Sequence, residues 1–264
     1  MTNMEFLTFV ALHASASIGP ATKGTSEISN VLGLLKERGR RRDVAAPNVM
    51  LHENPLSSVF ALSPSAARFD DFLAALAKQM PSVQEPQRRA RNLMQNHLAV
   101  AMWLQLGDGC VLLGADVEET GVRGWSLILE EQTCIQAPAS VFKIPHHGSE
   151  NAHHERVWKE LCGAKVLGVL TPYVLGARQL PKRSDVSRIM AHAPQAYATA
   201  SLRSLAPLRY PRPVEKEFRD RGIKLRAAQP PTGHVRLRRA SGGGQAWKLE
   251  LRNNAVPLDR VHNT

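Results

Sequence analysis

Four short apolar runs, at residues 99–106, 110–113, 141–144 and 166–170, constrain this chain most. Each is too short for a buried helix and is bounded by Gly, Pro or Asp, so each reads as a buried strand. The first two flank GDG, a hairpin signal with glycine-compatible turn chemistry. Helical patterns lie around the later runs, at 124–131, 152–161 and 184–192, and a further short strand is expected at 196–199. Strands alternating with helices predict a layered α/β core with helices covering a sheet.

The flanking segments are less regular. TSEISNVLGLLKER at 25–38 puts Ile28, Val31, Leu32 and Leu35 on one helix face, with Thr25 or Ser26 as cap. Residues 59–62 read as a short strand. Residues 68–78 read as a helix that groups Phe69, Phe72, Leu73 and Leu76. Two prolines mark 80–87 as a loop, and 1–20 reads as a strand and a loop. The Pro- and Arg-rich stretch 201–231 is expected to be irregular. Residues 234–238 and 246–251 flank SGGG and are expected to close the domain as a terminal hairpin.

Composition excludes several classes. With 264 residues and 43% hydrophobic content, a sizeable core can be buried. Cys110, Cys134 and Cys162 are odd in number and far apart, which argues against a disulfide scaffold or a Cys-rich zinc site and fits a reducing cytoplasm. MTNMEFLTFVAL carries an acidic residue and no Lys or Arg. It reads as neither signal peptide nor membrane span, and no membrane partner is expected. The net charge of +11 makes nucleic acid a candidate partner. Much of the charge is local, at 36–42, at 87–91 and between Arg203 and Arg226, where Glu215, Glu217 and Asp220 interrupt it. A solvated basic surface is the plainer reading.

The stretch VFKIPHHGSENAHH, 141–154, holds four of the ten histidines. Zinc takes His, Asp and Glu ligands, and strand ends hold such ligands in place because the sheet fixes their backbone. One apolar run, VLLGAD, ends in Asp116. Another, VFKIPHHG, ends in His146 and His147. Pro145 has no N–H for a ladder and Gly148 permits a sharp turn. Asp116 and His146 are therefore expected at one sheet border. The competing reading of His146 is a hydrogen-bonded structural histidine.

LLGADVEE and FKIPHHGSENAHH together resemble the last two metal motifs of the metallo-β-lactamase fold. The resemblance is to the branch with a GD-type loop and an HHGS motif, as in competence-protein ComEC-like domains. It spans roughly 26–251 and includes ALSPS before a helix, NHLAVAM and LLGAD as successive strands, VLGVLTPY, and a closing GHVRLR…WKLEL hairpin. It implies an α/β fold of sandwich type, a partial αββα arrangement with mixed sheets flanked by helices. Residues 1–200 would be an incomplete domain of this kind, 201–233 an irregular segment, and 234–264 a hairpin returning to the domain plus a tail.

The resemblance also implies a metal-dependent hydrolase in which Zn2+ or Mn2+ generates a hydroxide that attacks a phosphodiester or other ester. Asp116 would bridge two ions and His146 would be the late ligand. His147 would support it, carry a proton, or ligate in its place. Lys143 or a neighbouring histidine would contact the leaving group and Ser149 steady the turn, with Asn151, His153 and His154 at the start of the next helix facing the pocket; the competing reading of His153 and His154 is a solvent-facing helix N-terminus. The family signature HxHxDH is absent from the sequence: LHASAS has one histidine and no aspartate, and His52 and His97 stand alone. The chain therefore resembles a C-terminal portion. It is expected to be inactive in isolation unless a partner segment supplies the missing ligands, and to self-associate or bind such a partner across an uncovered edge. The alternative is a non-catalytic binding or assembly module of the same fold.

Overall fold

A computed structural model describes residues 45–78, 95–121, 123–205, 210–223, 233–240 and 246–262, together with Asn30, Gly33 and Leu34, which are helical. The expectations for 1–20, 80–87 and most of 25–38 lie outside the described residues, as do the basic runs at 36–42 and 87–91. The chain divides at Val44, and the fold below is that of Ala45–Thr264.

Strands and helices alternate around a mixed eight-stranded sheet, which places the fold in the α/β class. Four strands form an antiparallel meander: β1 (Met50–Asn54), β2 (Ser57–Ala61), β3 (Met102–Leu106) and β4 (Gly109–Leu113). The β3–β4 turn is the expected one, with Gly107 at φ +59°. From β4 the sheet continues in parallel through β5 (Ala139–Lys143), β6 (Cys162–Leu170) and β9 (Ala196–Ala198). β12 (Val256–Pro257) closes that edge antiparallel to β9. Two small antiparallel pairs stand apart: β7 (Tyr173–Leu175) with β8 (Arg178–Leu180), and the terminal hairpin of β10 (His234–Arg238) with β11 (Lys248–Arg252).

The parallel strands are buried on both faces, which is why they read as apolar runs rather than as alternating ones. One face carries Cys110, Leu112, Phe142 and Leu170. It packs on helix α2 (Trp125–Glu131), a π-helical turn at Val157–Leu161 and helix α3 (Arg183–His192). Phe142 is its centre: Trp125 and Trp158 meet the ring edge-on at 6.2 and 4.9 Å. Such pairs add about 0.5–1.5 kcal/mol each beyond the area they bury. The opposite face carries Val111, Val141 and Leu167, packed with Leu237 and Trp247 of the terminal hairpin region. The indole N–H of Trp247 donates to Ser140 Oγ at 3.0 Å and pins that cover to β5.

Several elements differ from the sequence expectation. Residues 152–161 do not form one helix. Residues Glu150–Ala152 make a 3-10 turn and His153 is extended, so the helix restarts only at Glu155. The described residues of the stretch 201–231 include two helices, α4 (Leu202–Leu205) and α5 (Arg212–Asp220). Pro213 pre-sets the first turn of α5, and Arg221 pairs with Glu217 one turn back at 2.6 Å. Helix α1 spans Ala66–Ala77, close to expectation. No described helix is long and apolar enough to cross a membrane.

Candidate functional site

Two adjacent parallel strands, β4 and β5, end at the same corner of the sheet. After β4 the chain passes Gly114, whose N–H donates to Lys143 O at 2.9 Å. A Cβ at 114 would stand 2.9 Å from that same oxygen and 3.0 Å from Pro145 Cβ, so only glycine lets the two strand ends close up. The backbone then locks: His146 N–H donates to Ala115 O at 3.0 Å. Both sides of this bond lie in left-handed conformation, Ala115 at φ +46°, His146 at +41°, His147 at +58° and Gly148 at +79°. A non-glycine residue held there costs on the order of 1–3 kcal/mol, and such residues gather at functional sites. Three of the five described non-glycine residues with positive φ are at this corner.

Asp116 is exposed. It is close enough to Lys143 to favour the charged amine, while burial, the larger effect, pulls that amine below its ordinary range. Lys143 Nζ lies 3.4 Å from Ile144 O. The carboxylate that meets His146 is Glu118, with Oε1 2.8 Å from Nδ1. Despite this proximity, buried Nδ1 makes no hydrogen bond. Asn96 Nδ2 donates to the same Glu118 oxygen at 2.8 Å.

His147 is oriented from behind. Its Nδ1 is 2.8 Å from Thr171 O, and its ring stacks on Tyr173 at 4.9 Å. A carbonyl only accepts, so Nδ1 is the donor and Nε2 is the nitrogen left to face a ligand. This is the arrangement in which histidines usually ligate metals. Ser149 steadies the turn through its backbone, N–H to His146 O at 3.1 Å. Asn151 is exposed and contributes its carbonyl, which accepts from Glu119 N–H at 2.7 Å.

The donor chemistry at the corner suits a divalent cation, but the number of donors does not. Asp116, His146 and His147 form no group of three convergent ligand atoms. Among the described residues the group that does is His153, Glu155 and His192, with donor atoms within 4.8 Å of one another. A firm zinc site takes three or four protein ligands. The corner as described supplies too few, and no hydrolytic step follows from it.

Beside the corner lies a cleft lined by Ser63, Arg68, Asn96, His97, Glu118 and Arg123 among others. Arg68 is buried and spends its guanidinium on Arg123 O, His97 Nδ1 and Thr120 Oγ1 at 2.8, 3.0 and 2.6 Å. Burial pulls the His97 imidazole below its ordinary pKa, and Arg68 acts the same way against Glu118 and Asp71. The thiol of Cys162 is pushed up to about 12 by burial, so it is no nucleophile.

Sequence reasoning missed Glu118, Glu155 and His192. Glu118 lies within the quoted GADVEE, but the strand-end argument stopped at Asp116. His192 closes α3, a helix expected correctly, and nothing local ties it to residue 153. Comparison with family models, with curated proteins and with solved structures returns no match.

Proposed function

We propose that this chain is a metallo-β-lactamase-like protein carrying the later half of a metal-dependent hydrolase site, directed at phosphodiesters or other esters. One observation carries the reading. Neighbouring parallel strands deliver Asp116 and the His146–His147 pair to one corner, and the Ala115–His146 hydrogen bond holds them there in left-handed backbone. The run β4–β5–β6–β9 with intervening helices supports the second half of an αββα sandwich. The ion, Zn2+ or Mn2+, would be held by Asp116 with His147 or His146, and further ligands must come from another segment or chain. That same requirement names the partner, a chain or segment bearing the missing ligands. In isolation the chain does not turn over substrate. The nucleic-acid reading has less support, because Arg238 and Arg252 are engaged by Glu250 and Arg239 by Asp108.

The test is Mn2+ binding to the full chain, followed by electron paramagnetic resonance. Measured in His192→Ala, so that the cluster of His153, Glu155 and His192 does not contribute, a weak saturable site is expected that disappears on adding Asp116→Ala or His147→Ala. Bis(p-nitrophenyl) phosphate is expected to remain intact throughout. Mn2+ binding to His192→Ala that is indifferent to a further Asp116→Ala overturns the reading.

A further inference from the structure

The extended residue His153 and the restart of helix at Glu155 put two potential ligands two residues apart in sequence, just before the π-helical turn. His192, at the end of α3, comes to meet them. Glu155 Oε2 lies 3.2 Å from His192 Nε2 and 3.6 Å from His153 Nε2. A tetrahedral zinc ion with bonds near 2.0–2.1 Å spaces its donors roughly 3.3 Å apart. The two separations straddle that edge length. The carboxylate is already divided: Oε1 faces Lys159 Nζ at 3.0 Å, which leaves Oε2 to the two imidazoles.

Both rings are held by one residue. The buried indole of Trp158 stacks on His192, 5.2 Å between centroids and 9° from parallel, and its N–H points at His153 Nδ1 from 3.3 Å. The side chains of His153 and His192 remain about one-fifth exposed, 20% and 21%, so the cluster is not sealed from solvent. His154 takes no part, since its Nε2 lies 3.2 Å from Ser126 Oγ.

We propose that His153, Glu155 and His192 form a binding site for one divalent transition-metal ion, Zn2+ being the best match, with water in the fourth position. Two imidazoles and a carboxylate suit zinc, and the Irving–Williams order lets Co2+ report on the same site. The ion joins the segment after the histidine turn to the end of α3. It also has a visible consequence. Ligation through Nε2 of His153 places the proton on Nδ1, so the Trp158 N–H loses its acceptor. At 3.3 Å that contact is long and weak, and little is given up.

The experiment titrates the full-length, metal-stripped protein with Co2+, reading the visible d–d bands and tryptophan fluorescence, with Zn2+ as competitor. One equivalent is expected to bind with bands of tetrahedral intensity, and Zn2+ to displace it. Affinity is expected to fall by about two orders of magnitude or more in His192→Ala and in Glu155→Gln. Trp158→Phe is expected to keep binding and lose most of the fluorescence change. Asp116→Ala is expected to leave the bands as they are, which separates this site from the strand corner. Circular dichroism of each metal-free variant checks folding, and His192→Gln serves if His192→Ala unfolds. Absence of a one-equivalent site, retention of the bands in both ligand variants, or their loss in Asp116→Ala overturns the proposal.

Discussion

The two halves of the sheet obey different rules. In the antiparallel half β1 is exposed along its whole length and β2 is half-buried up to Ala61. In the parallel half β4 is buried in four of its five residues, and β5 is covered by helices on one face and the terminal hairpin on the other. Both candidate metal sites belong to the parallel half, one at its strand ends and one on its helix layer. A corner that holds three successive left-handed residues, His146 to Gly148, against a fourth at Ala115 needs rigid walls, and this half provides them.

The contrast can be broken first by paired truncations. Phe142→Ala is expected to cost roughly 4 kcal/mol in urea denaturation, because it opens a cavity between two tryptophans. Leu51→Ala in β1 is expected to stay within about 0.5 kcal/mol. Comparable losses at the two positions would abolish the distinction. Next comes Asp185→Ala. This carboxylate is 1% exposed, accepts from Lys182 N–H at 2.8 Å and lies 2.8 Å from Arg188 Nη2. Its removal strands a partly buried guanidinium, and a loss of roughly 2–3 kcal/mol is expected in the same assay.

A smaller effect of opposite sign sharpens the picture of the corner. Ala115→Gly removes a side chain from a left-handed position, and a gain of about 1 kcal/mol is expected. A loss would show that Ala115 is not strained. The smallest effect is on pH dependence. The folded state holds the His97 imidazole below its ordinary pKa, so it binds the proton less well than the unfolded chain. The stability tied to this group is therefore complete above the unfolded pKa, about 6.5, and is lost as pH falls through the folded value. Between pH 7 and 5 wild type is expected to lose more stability than His97→Asn. An identical pH slope would sink that assignment.

The legibility of the chain follows the same division. The β3–β4 hairpin, β5, the apolar part of β6, α3 and the terminal hairpin were readable because apolar runs and glycine turns are local signals. β1 was not readable, since MLHEN buries nothing and carries no alternation. Helix α5 hid among arginines, because its burial pattern is empty and its prolines serve as a start signal rather than a break. At the corner, the meeting of the loops after β4 and β5 was legible. The partner of His146 was not, because Glu118 reaches it through a turn whose shape depends on Ala115. The pairing of residues 153 and 192 lies deeper still: it depends on how α3 lies against the π-helical turn, and sequence spacing is silent about that.

Gly148 rests directly on α3. A Cβ there would stand 2.9 Å from Ile189 Cδ1, and Arg188 Nη2 donates to the Gly148 carbonyl at 3.0 Å. The same helix ends in His192 one turn further on. The helix therefore touches both candidate sites, packing under the histidine turn through Arg188 and Ile189 and carrying His192 of the second cluster at its end.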